Sequence, residues 1–301
     1  MLISNSQGST AGTRMTIPAR IIRAATLSAL LAPTCSFGEG IDTEHIYGFM
    51  IGSDVGDPGE REFQTTSTGR FSKQGGSYQA AEQEFELEFV SVKNFRVEVG
   101  TTLATYDIAS VPGLMDRADA GWQGVSLDLR YRFLDRDTAP FGLTLALVNQ
   151  GNRFDEISGS RAQNYGTELT LALERDLIPQ LAVATVNLSY QPEWTHLAGL
   201  PTAEQESTLA ASFGVMARLR SDFMLGGEAR YFRKYEGIGL DELAGEAFFV
   251  GPTAYFQLSD RARLTATWSF QAWGRPAASS ATLDLVNFER QQARLVFGLN
   301  F

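Results

Sequence analysis

From Glu60 to the last residue the sequence alternates apolar and polar side chains in stretches of about ten, each followed by turn-forming residues. A side-chain period of two belongs to strands whose two faces meet different surroundings. Twelve stretches are legible, at 60–71, 77–90, 95–106, 122–134, 141–150, 164–174, 181–192, 207–220, 223–232, 248–258, 263–273 and 290–301. The alternation is clearest in Val125/Leu127/Leu129/Tyr131/Phe133, Leu169/Leu171/Leu173 and Leu209/Ala211/Phe213/Val215/Ala217/Leu219, with Ser, Thr, Gly and charged residues between. One helical turn is expected near 240–247. Pro252, inside the tenth stretch, cannot donate to a ladder and is expected at a bulge or strand end. The fold expected is all-β.

The connections narrow this further. From the second onward, short turns (91–94, 135–140, 174–180, 221–222, 259–262) alternate with long polar loops (107–121, 151–163, 193–206, 233–247, 274–289). Strict parity of this kind fits a transmembrane antiparallel up-and-down barrel of about 12 strands, with short turns on one side of the membrane and long loops on the other. Aromatic residues cluster at stretch ends, among them Phe71, Phe89, Phe95, Tyr106, Trp122, Phe133, Phe141, Trp194, Phe223, Tyr231 and Trp273, as interfacial girdles would. The hydrophobic fraction is 44%, and no run reaches the roughly 20 apolar residues of a spanning helix. Barrel strands need no such run, since only every second residue meets lipid.

Residues 1–38 read differently. Arg14, Arg20 and Arg23 precede the apolar run Ala24–Ala32 and then small residues, the layout of a secretory signal peptide. Cys35, the one cysteine, falls within it, so the exported chain is expected to carry no thiol. Its removal leaves 22 basic against 35 acidic residues. With no basic stripe to neutralise phosphates, no nucleic-acid partner is expected. Residues 39–59 are expected to be a lead-in or partial plug, and 60–301 the barrel. Asp54, Asp57 and Glu60 offer oxygen ligands, but Pro58 and the surrounding glycines make a turn-rich lead-in the better reading, and no metal or cofactor is expected.

The chain ends "ARLVFGLNF", which resembles the C-terminal strand of Gram-negative outer-membrane β-barrel proteins. The resemblance implies an outer-membrane location, with lipid and lipopolysaccharide as surroundings. It also implies that Leu295, Phe297, Leu299 and Phe301 form a signal read by the barrel-assembly machinery. "GSDVGDPGERE", followed by "TGRF" and "GG", looks like the start of outer-membrane proteins grouped with transport channels.

With apolar positions facing lipid, the inward set includes Glu82, Glu84, Glu86, Glu88, Glu98, Arg96, Arg130, Arg132, Arg230, Arg263, Arg290 and Arg294. Four acids stack on the second strand, whereas the last two strands contribute arginines, so a transverse field across a narrow lumen is expected. The expected function is a channel for passive passage of small solutes. Two alternatives are a hydrolase using His196 in an outer loop, and a non-conducting barrel closed by Arg–Glu pairs. No residue set in the sequence forms a catalytic signature.

Overall fold

The computed structural model describes residues 40–199 and 201–301. The signal-peptide reading of residues 1–38 lies outside the described residues. Among those described, twelve strands form one closed antiparallel barrel: β1 (Arg61–Phe71), β2 (Ser77–Val92), β3 (Phe95–Ala109), β4 (Arg117–Leu134), β5 (Gly142–Phe154) and β6 (Arg161–Ile178), then β7 (Ala182–Leu197), β8 (Glu204–Arg220), β9 (Phe223–Glu236), β10 (Glu242–Gln257), β11 (Ala262–Pro276) and β12 (Gln291–Asn300). Each strand pairs with its neighbours in sequence, and β1 closes on β12 from Glu62↔Asn300 to Phe71↔Gln291. No helix among the described residues is long and apolar enough to cross a membrane.

The barrel is apolar outside and polar within. Phe85, Leu87, Val99, Leu127, Leu169, Leu188, Phe213, Leu225, Trp268 and Leu295 are exposed on the outer face, while Glu62, Thr66, Glu88, Glu98, Thr144, Asn187, Glu228 and Thr267 are buried inside. Water on that outer surface would leave a continuous apolar belt uncovered; hydrocarbon covers it and leaves every ladder hydrogen bond satisfied.

All twelve expected strands form, but several extend further than expected at the upper rim, opposite the β1 start. β3 continues to Ala109, β4 begins at Arg117, β7 runs to Leu197 and β10 begins at Glu242. Above the lipid both faces of a strand meet water, so the alternation that reveals it disappears. The helical turn expected near 240–247 is a tight turn leading into β10. The long loops shrink accordingly, to 110–116, 155–160, 198–203 and 237–241, leaving 277–290 as the one long connection, and the 135–141 turn is no shorter than 110–116. Strict length parity is therefore not a property of the fold.

Two further expectations are corrected. Pro252 marks neither a bulge nor a strand end: the β10–β11 register is the same on either side of it, Val250↔Phe270 and Thr253↔Thr267, and the bulge lies at Phe248/Phe249. The ladder skips Gly251 and Pro252, where a Cβ on Gly251 would collide with the Trp268 carbonyl. Tyr106 is not part of a girdle, because it faces inward and packs with Tyr78, Ile108 and Val111 beneath the 110–116 loop.

The inside–outside assignment predicts a difference in tolerance. Leu145 faces lipid near mid-strand, and arginine there is expected to cost about 2–4 kcal/mol of barrel stability. Arginine at Thr170, which lines an acidic cavity, is expected to cost much less. Thr144 is no such neutral inward site: it is fully buried and donates to the Ser53 carbonyl at 2.5 Å. Urea titrations of the three variants in detergent check this ranking, and equal costs at Leu145 and Thr170 would refute it.

Candidate functional site

Residues 40–60 run inside the barrel. The segment starts at the lower rim, where Arg218 donates to the Gly40 carbonyl, rises to Gly48–Met50 and returns through Ser53 and Asp54 to Gly59 and β1. Ile41, Ile46, Tyr47 and Met50 form an apolar core with the inward-facing Val183, Met216 and Met224. Glycines permit the tight seating: a Cβ on Gly48 would strike Thr267, and one on Gly52 would strike the Thr43 carbonyl.

Charged and polar wall groups hold the tip. The Glu228 carboxylate accepts from the Gly48 N–H at 2.8 Å and the Phe49 N–H at 2.9 Å. The Phe49 ring lies between the Arg230 and Arg294 guanidiniums, 3.9 and 4.5 Å from its centroid, a cation–π sandwich. Asn187 exchanges two hydrogen bonds with the Ile51 backbone. Lower down, Glu174 accepts from Thr43 at 2.5 Å and Ser53 at 3.0 Å. Asp54, one of the three oxygen donors of the lead-in, is taken by Arg132 at 3.3 Å and Arg136 at 3.0 Å.

Strand register gathers carboxylates at the lower end. Glu62↔Glu88, Glu88↔Glu98 and Glu98↔Asp128 are direct partners across β1 to β4, which sets four acids in one row. Like charges opposed in this way repel. Arginines from the wall offset them: Arg96, 1% exposed, lies 3.2 Å from Glu88 and 3.3 Å from Glu98, Arg130 lies 2.6 Å from Asp128, and Arg263 pairs with Glu62. Glu44, from the luminal segment, adds a fifth carboxylate 2.5 Å from Arg96. Burial pushes the Glu44 carboxyl up to about 8, against the pull of Arg96. Burial, with the Arg263, Arg96 and Arg130 charges, holds the neighbouring His45 imidazole well below its ordinary value.

Above the segment lies a cavity of about 410 Å³, floored by Tyr47–Ile51. Its wall carries Glu82, Glu84, Glu86, Glu98, Asp128, Glu156, Glu168 and Glu193, against Arg70, Arg130 and Arg294. Glu82 pairs with Arg70 at 2.7 Å, Glu84 accepts from Ser126 at 2.9 Å, and Glu86 accepts from Gln64 at 2.8 Å.

The expected lumen residues are thus sorted by depth. Glu82, Glu84, Glu86, Arg130 and Arg294 line the cavity, Glu98 touches both levels, and Glu88, Arg96 and Arg263 are packed below. Arg132 holds the returning limb and Arg230 its tip. Arg290 is exposed just before β12, outside the cavity lining. The transverse arrangement is corrected too: only β1 separates β2 from β12, and Arg294 reaches over to Thr68 and the Gly48 carbonyl. His196 is in β7 rather than a loop and is exposed on the outer face, away from the luminal carboxylates. The sequence reading passed over Glu44, Phe49 and Asn187. The signal for them was the inward Val183, Met216 and Met224, apolar residues on a face otherwise polar.

A closed barrel with an apolar exterior and a polar, partly filled lumen is an outer-membrane β-barrel. The chain belongs to a family of unknown function (DUF6662), whose model it matches over residues 39–301. Among solved structures it is similar to the COG4313 outer membrane channel from Pseudomonas putida F1, at 9% identity and a TM-score of 0.56, covering 83% of this chain and 98% of that one. Two others are the KdgM porin in complex with disordered oligogalacturonate (9% identity, TM-score 0.44, 80% and 99% covered) and the beta domain of the Bordetella autotransporter Brka (15%, 0.48, 81% and 100%). No curated protein matches the chain in sequence.

Proposed function

We propose that the protein is an outer-membrane channel for passive passage of small solutes, selective for cations, with residues 40–60 acting as a plug on the periplasmic side. The observation that carries this reading is the cavity above the segment, where eight wall carboxylates face three arginines. In a narrow, low-dielectric lumen an excess of one sign raises the local concentration of the opposite one. Lipid and lipopolysaccharide would surround the exposed belt. Leu295, Phe297 and Leu299 lie on the outer face of β12 and Phe301 follows at the lower rim, where the assembly machinery would read them.

Planar-bilayer recordings across a salt gradient test this. The wild type is expected to show a cation-selective reversal potential, which moves toward zero when Glu84 and Glu86 are both changed to Gln. Anion selectivity would overturn the charge reading. Absence of current from both the wild type and a variant lacking residues 41–55 would overturn the channel itself, and would favour the non-conducting barrel that the packed lower half supports. The hydrolase alternative has little support, since His196 faces outward.

A further inference from the structure

At the lower end of the lumen three carboxylates surround one imidazole nitrogen without bonding to it. His45 Nε2 lies 3.6 Å from Glu88 Oε2, 3.7 Å from Glu62 Oε1 and 3.8 Å from Glu44 Oε2. The His45 side chain is 10% exposed and that of Glu88 2%. His45 Nε2 is buried without a hydrogen-bond partner, and Glu88 Oε2 accepts no hydrogen bond, its one cation neighbour besides His45 being the Arg96 guanidinium at 3.2 Å. Buried polar atoms are rarely left so, and an imidazole nitrogen among three carboxylates calls for an explanation. The three separations are too long for an N–H···O bond.

We propose that His45, Glu44 and Glu88 bind a divalent first-row transition metal ion of the zinc class, which clasps the luminal segment to β2. The ligand atoms of the three residues all lie within 4.8 Å of one another. Two of the separations, 3.6 and 3.8 Å, are close to the edge of a tetrahedron with bonds of about 2.1 Å, roughly 3.4 Å, so small rotations bring the ligands to bonding distance. Glu62 differs from Glu44 and Glu88 in having both of its carboxylate oxygens hydrogen-bonded to Arg263, and it stands beside the ion rather than on it. An imidazole with two carboxylates suits zinc, manganese or iron, whereas calcium would demand six or more oxygens.

Charge supports the same assignment. The connected cluster holds five carboxylates, Glu44, Glu62, Glu88, Glu98 and Asp128, and three guanidiniums, Arg96, Arg130 and Arg263. With all five acids ionised, as ligation by two of them requires, two negative charges are left over among buried groups, where uncompensated charge is costly. One divalent cation cancels them. Two bound protons on the carboxylates would also do so, but they would leave the buried His45 Nε2 without a bonded partner. The site stands apart from whether the barrel conducts, because its readout is bound metal.

The full chain, folded in detergent, is stripped with chelator, incubated with Zn²⁺ or Ca²⁺, desalted and assayed by elemental mass spectrometry. One zinc per chain is expected in the wild type and no calcium, with zinc retention lost in His45→Ala and Glu88→Gln and kept in His196→Ala. Heat-modifiable gel mobility reports whether each variant is folded, and His45→Gln replaces His45→Ala if the latter is not. A folded wild type that retains no zinc overturns the proposal, as does undiminished zinc in the folded His45 variant. Calcium retained in place of zinc overturns the choice of metal class.

Discussion

Replacing Glu228 by leucine is expected to free the tip of the luminal segment while leaving the barrel closed. The carboxylate is the acceptor for two consecutive backbone donors, Gly48 and Phe49, and hydrogen bonds to a charged group contribute about 1.5–3 kcal/mol each. Cavity water can replace part of that, so a loss of about 3 kcal/mol in docking is expected. The wall itself has alternatives: Thr253 and Thr267, which also donate to Glu228, lie 2.9 Å apart and can bond each other. Phe49 would then lose its position between Arg230 and Arg294, and those two cations would face the cavity unshielded. Hydrogen exchange read by mass spectrometry provides the check. Peptides covering 41–55 are expected to exchange at least tenfold faster, with strand amides unchanged. Equal protection of 46–52 in the variant and the wild type would show that the apolar core around Ile46 and Met50 holds the segment without Glu228.

That core marks the boundary of what the sequence discloses. Strand identity was legible wherever one face met lipid, because there the two faces differ and Leu169/Leu171/Leu173 or Leu295/Phe297/Leu299 alternate with polar residues. It faded where strands rise into water, which is why β4 was read from 122 and not from Arg117. Periodicity also separates inside from outside but carries no depth. Arg96 and Arg294 share an inward parity, yet one is packed among carboxylates below and the other lines the cavity. Depth follows from register, and register is set jointly by turn lengths and the bulges at Thr102/Leu103 and Val90/Val92, which no single stretch displays. The segment 40–60 has no periodicity at all. Its place is dictated by partners far along the chain, Glu174, Asn187, Glu228 and Thr265, that only barrel closure brings together.

The interior charges also show why the lower half is solid. Four acids in one row of neighbouring strands would push β1 to β4 apart if left alone, and a lumen open to water would not need them matched. Here wall arginines offset most of that charge, and the segment packs against the row with Glu44 on Arg96, so the segment and the sheet order one another. Sequence segregation of charge between β2 and β12 therefore becomes an axial division, with acids packed against arginines below and acids lining an open cavity above.

Arg96 is the residue on which that division turns, and its replacement by methionine is expected to give the largest loss of stability among single wall substitutions. The guanidinium contacts Glu44 at 2.5 Å, Glu88 at 3.2 Å and Glu98 at 3.3 Å, all nearly buried. Methionine has a similar length and fills much of the same space, so the change removes charge and donors rather than volume. Removing one partner of a buried ion cluster costs about 3–5 kcal/mol, because the remaining charges stay buried without compensation. Lysine is expected to rescue only part of this, since a point-like ammonium cannot serve three carboxylates as a planar fork can. The sign with pH follows from the acids left behind: protonating them removes the repulsion, so the deficit of the methionine variant is expected to shrink as pH falls toward 5. Denaturant midpoints of folded barrel in detergent at pH 5 and pH 8 measure both effects. A deficit that is the same at the two pH values would mean that Arg96 acts by packing alone, and that the carboxylate row is stabilised by something other than its arginines.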